Sequence, residues 1–122
     1  MPPPVIFAQS LVQFVLERGG GAAVWASVSV WSGAGTSAEK RVDIITFDDN
    51  LDDVETISRN LAPGNYACVF KLVVTKDLNG SFRYRHRVGS SAVFADQGVA
   101  GDGGDLPDGG GFRDEYVLAV QA

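Results

Sequence analysis

The sequence predicts an all-β fold: a single antiparallel β-sandwich of about eight strands, with a closed barrel as the second choice. Three observations carry the prediction. Apolar and polar residues alternate with a period of two over several segments, which marks strands with one buried and one wet face. Short clusters of Gly, Pro, Asn and Asp separate those segments, and no stretch carries an unambiguous helical stripe.

Residues 5–17 fit two templates. Val5, Ala8, Leu11, Val12, Val15 and Leu16 form a helical stripe ending at Gly19, while Ile6, Ala8, Val12, Phe14 and Leu16 form one strand face. A strand is the favoured reading, because Gly19-Gly20-Gly21 would turn it straight into the clearest alternation in the chain. In that segment, residues 22–32, Val24, Ala26, Val28 and Val30 point one way and Trp25, Ser27, Ser29 and Trp31 the other.

Residues 42–47 alternate in part, residues 54–58 make a short strand, and Leu61-Ala62-Pro63-Gly64-Asn65 is a turn into a longer strand at 66–75. Asp77-Leu78-Asn79-Gly80 then reads as a hairpin, since Asn-Gly accepts the positive φ of a tight turn. The strand that follows sets Phe82, Tyr84, His86 and Val88 against Arg83, Arg85 and Arg87, and residues 92–95 and 116–120 supply the last two strands. Jelly-roll and immunoglobulin-like arrangements both accommodate this series. Residues 98–111 hold seven glycines, three aspartates and a proline, which cannot pack a core and therefore form a loop.

At 122 residues and 45% hydrophobic, the chain has the size of one domain, 1–122, and too many apolar residues for a disordered segment. No apolar run reaches the roughly 18 residues needed for a membrane-spanning helix, and no secretory leader is apparent, so a cytoplasmic or non-classically exported protein is expected. A lone Cys68 excludes an internal disulfide framework and a cysteine zinc site. The net charge of −5 argues against nucleic acid as a partner. That charge is distributed in blocks: acidic over residues 43–55, basic from Lys71 to Arg87, and acidic again over 96–115.

Nothing marks an enzyme. The only histidine, His86, falls on the apolar face of its strand, and no nucleophile elbow or phosphate-cradling motif accompanies it. Asp48, Asn50 and Asp52 have the spacing of the first ligands of a calcium loop, but Asp53 and Arg59 stand where an EF-hand requires glycine and glutamate. The remaining metal expectation is Ca2+ held by these three residues and by Asp102, Asp105 and Asp108 of the glycine loop.

For ligand binding, the Trp25 and Trp31 face offers aromatic rings about 20 Å apart along one strand. The Arg83, Arg85, Arg87 row offers a ladder for anions; an internal or intersubunit pairing with a strand bearing Asp43 or Glu55 is its leading explanation. The function expected from these features is a non-enzymatic, lectin-like module for carbohydrate or for another protein. The alternative is an assembly protein whose β surfaces and charge blocks form a homo-oligomer.

Overall fold

The computed structural model describes residues 3–19, 24–33, 35–47, 53–74, 81–99 and 111–121. Among the described residues there are nine strands and no helix: β1 (Val5–Gln9), β2 (Leu11–Gly19), β3 (Val24–Ser32), β4 (Lys40–Phe47), β5 (Asp53–Asn60), β6 (Gly64–Val74), β7 (Ser81–Val88), β8 (Ser91–Val99) and β9 (Gly111–Gln121). They form two separate sheets rather than a closed barrel. One has five strands in the order β1-β9-β6-β3-β4, the other four in the order β5-β2-β7-β8.

Alternation decides which residues meet between the sheets. Ala26, Val28 and Val30 of β3, Ile45 and Phe47 of β4, Cys68, Phe70 and Leu72 of β6, and Tyr116 and Leu118 of β9 are buried from the five-stranded side. Val12, Phe14 and Leu16 of β2 with Tyr84, His86 and Val88 of β7 are buried from the four-stranded side. All of these but His86 make one hydrophobic cluster, so the architecture is β-sandwich-like. Of the inward faces expected, Tyr84, His86 and Val88 of β7 and Ala26, Val28 and Val30 of β3 are buried, while the side chains of Phe82 and Val24 lie outside the described residues.

Three expectations are corrected. Residues 5–17 are not one strand: the chain breaks at Ser10, β1 joining the five-stranded sheet and β2 the four-stranded one. The alternation runs through the break in phase, because Ile6 and Val12 both face the core from opposite sheets. Second, β6 and β7 are not a hairpin, since they belong to different sheets; Asn79 and Gly80 themselves lie outside the described residues. The same holds for β2 and β3, expected to be joined by a direct turn. Third, the ladders are not all antiparallel, because β1 pairs with β9 in parallel. That pairing becomes available once the chain leaves β1 for the other sheet instead of folding back beside it.

True hairpins occur elsewhere. The strand pair β3–β4 is joined through Gly33, whose φ of +65° suits glycine, and a Cβ there would stand 2.9 Å from the Ala38 carbonyl oxygen. The pair β7–β8 turns through Gly89, φ +57°.

Candidate functional site

Three places hold the residues singled out by the sequence: the core around His86 and the two outer faces of the sheets.

His86 is fully buried. Its Nδ1–H donates to the Val15 carbonyl at 2.9 Å, and its Nε2 accepts from the Tyr116 hydroxyl at 3.0 Å. Cys68 is hydrogen-bonded to the same hydroxyl. The imidazole lies flat on Phe70, centroids 4.7 Å apart and planes 6° from parallel. Burial dominates its titration: desolvation pushes the pKa down to about 4, against a smaller upward pull from the Val15 carbonyl. Desolvation also raises Cys68 to about 12 and Tyr116 well above the ordinary tyrosine range. All three are neutral at pH 7 and bonded to one another. This is a hydrogen-bonded polar thread through an apolar core.

The outer face of the five-stranded sheet carries both tryptophans. Trp25 and Trp31 are half-buried on β3, with Ser27 and Ser29 between them. The registers extend this face sideways. Arg41, Trp31, Ala67, Val117 and Val5 lie in one row across β4, β3, β6, β9 and β1; Ile44, Ser29, Val69 and Glu115 form the next. A third row holds Thr46, Ser27, Lys71 and Arg113, and a fourth Trp25, Val73 and Gly111. Val5, Phe7, Val42 and Ile44 are 51, 66, 41 and 45% exposed on this side. The aliphatic part of the surface went unnoticed in the sequence. Its signal is the presence of apolar residues at consecutive positions, Val5-Ile6-Phe7 in β1 and Ile44-Ile45 in β4, which puts apolar side chains on both faces of one strand.

The outer face of the four-stranded sheet carries the arginines. Arg85 and Arg87 pair with Glu17, Nη1 to Oε1 at 3.6 Å and Nη2 to Oε2 at 3.4 Å. Arg87 also donates to the Gly89 carbonyl at 2.6 Å. The pairing is internal, as expected, but its partner is neither Asp43 nor Glu55. Asp43, in the other sheet, bridges the sheet edges to Arg59 at 3.0 Å, and Glu55 holds the buried Arg18 at 2.8 Å. Glu17 takes their place because β2 lies between β5 and β7 and sets it opposite Arg85. Arg83 is exposed, with no ion pair among the described residues.

Asp48, Asn50, Asp52, Asp102, Asp105 and Asp108, the expected calcium ligands, lie outside the described residues. Among the described residues, no three His, Cys, Asp or Glu side chains gather in a group able to hold a metal ion. No helix among them is long and apolar enough to cross a membrane. Compared with protein-family models, curated proteins and solved structures, the chain finds no match in any of the three.

Proposed function

We propose that this protein is a non-enzymatic assembly module in which the outer face of the five-stranded sheet packs against the same face of a second copy. The observation that carries the reading is an apolar surface reaching from Val5 and Phe7 at one edge, through Val117, Val69 and Trp31, to Val42 and Ile44 at the other. Water-facing patches on monomers are rarely continuous beyond a few hundred Å². Strands about 4.8 Å apart and about eight residues long give this face about 600 Å² per copy, hence about 1,200 Å² for a pair. That reaches the lower limit of specific interfaces, about 1,200 Å² in total.

The face is also complementary to itself, as a two-fold contact requires. A two-fold axis lying between the copies and running across the strands, midway between the Ser27 and Ser29 rows, exchanges those rows. It sets Arg113 of one copy over Glu115 of the other, and Trp25 over Trp31. The serines keep the centre low, so the two tryptophans project on either side of it. Carbohydrate is the less favoured occupant, because the row neighbours of the tryptophans on β6 and β9 are Val73, Ala67 and Val117, and among the described residues only Arg41 on β4, beside Trp31, offers a sugar a side-chain hydrogen bond.

Sedimentation equilibrium tests the proposal. The expected mass is twice the 12.9 kDa of the chain. Ile44→Asp buries a carboxylate in the contact and is expected to weaken association by about a hundredfold or more, while Thr56→Asp on the opposite sheet leaves it unchanged. A wild-type protein that stays monomeric at high concentration, or an Ile44→Asp dimer as tight as wild type, would sink it.

A further inference from the structure

We infer that a depression on the outer face of the four-stranded sheet binds the phosphate or sulfate group of a small molecule between Arg83 and Arg85. The depression, about 540 Å³, is lined by Glu17, Arg18, Val54, Arg83, Tyr84, Arg85 and Ala95. Its floor follows from register: Val54, Glu17, Arg85 and Ala95 form one row across β5, β2, β7 and β8. The next row supplies the space. Arg83 lies opposite Gly19 on β2, where there is no side chain to fill the surface.

Charge selects the ligand. Two exposed arginines, Arg83 and Arg85, stand against one glutamate at the depression in a chain of net charge −5, so it is a cationic hollow on an acidic protein. Glu17 does not neutralise it, because that carboxylate is shared between Arg85 and Arg87, and its contact with Arg85 is the longer one at 3.6 Å. Arg18 is held by Glu55. Arg83 and Arg85 are both exposed, with Cα atoms about 6 to 7 Å apart at alternate strand positions, within reach of one tetrahedral oxyanion for two forked contacts. Val54 and Ala95 give an apolar wall on either side, which suits the body of a small molecule rather than a bare ion. The depression is on the opposite sheet from the proposed dimer face and stands or falls independently of it.

The test is titration of the full chain with inorganic phosphate and, separately, inorganic sulfate at constant ionic strength, followed by amide chemical shifts, with sodium chloride as reference. Saturable shifts centred on Arg83, Arg85 and Ala95 are expected for at least one anion, and the tighter of the two assigns the group. Arg83→Gln, at an exposed position, is expected to weaken binding by about tenfold or more, and Lys40→Gln on the other sheet to leave it unchanged. Shifts no larger than those given by chloride, or equal affinity in Arg83→Gln, would overturn the assignment.

Discussion

Phe70→Ala is expected to lower the free energy of unfolding by about 4 kcal/mol and the melting temperature by on the order of 15 °C. Phe70 is fully buried on β6 of the five-stranded sheet, yet most of its ring contacts belong to the other sheet. It stacks on His86 at 4.7 Å and Tyr84 at 6.1 Å, and meets Phe94 at 5.6 Å, as well as Phe112 of its own sheet at 6.2 Å. Its removal empties the centre of the layer between the sheets. Strands fixed by ladders on both sides cannot close that gap, so the cavity cost adds to the lost burial. Val69→Ala, one residue along on the outer face, should cost less than about 1 kcal/mol in a monomeric sample. Urea unfolding of both variants makes the comparison; a loss below about 1.5 kcal/mol for Phe70→Ala would mean that the sheets are not joined through this ring.

Acid should unfold the protein through His86. Its folded pKa of about 4 lies below the ordinary 6.5, so between those values the unfolded chain binds a proton that the folded chain refuses. Stability is therefore at its plateau above pH 6.5, falls as pH drops through the window, and is lower by about 3 kcal/mol at pH 4. Below that the buried imidazole itself protonates and the loss levels off. Among the described residues the ring's polar neighbours are the Val15 carbonyl, the Tyr116 hydroxyl and, beyond it, the Cys68 thiol, and no carboxylate. Unfolding free energies at pH 7, 5.5 and 4 for the wild type and His86→Phe check this. The variant is less stable at pH 7 for want of a partner for Tyr116, but its slope between pH 6.5 and 4 should be shallower. Equal slopes would contradict the role given to His86.

The strands were legible in the sequence where one face is wet. In β3 and β7 the alternation picks out Ala26, Val28 and Val30, and Tyr84, His86 and Val88, and the structure buries all six. What the sequence concealed was the partner of each strand. The series Ile6, Ala8, Ser10, Val12, Phe14, Leu16 keeps its phase across a change of sheet; only the polar Ser10 interrupts it, and its carbonyl accepts from the Leu61 amide at 2.9 Å. Asn79-Gly80 is a good local turn sequence, but a turn sequence does not specify which sheet the next strand enters; the faces available for burial decide that. Glu17 was illegible for the same reason, since its pairing with Arg85 and Arg87 exists only once β2 and β7 are neighbours. Alternation alone set the tryptophans opposite the valines of β3, while their aliphatic surroundings were missed because they come from β1, β4 and β9, far apart in the chain.

That face also supplies its own probe. Trp25 and Trp31 are the only two tryptophans, and both are half-buried on the outer side of the five-stranded sheet. Acrylamide quenching of tryptophan emission across a dilution series therefore reports directly on whether this surface is covered. Assembly through it predicts weak quenching and blue-shifted emission at high concentration, giving way to strong quenching and a red shift on dilution, with Ile44→Asp quenched strongly throughout. Quenching that is strong and independent of concentration, with the wild type and Ile44→Asp alike, would contradict it.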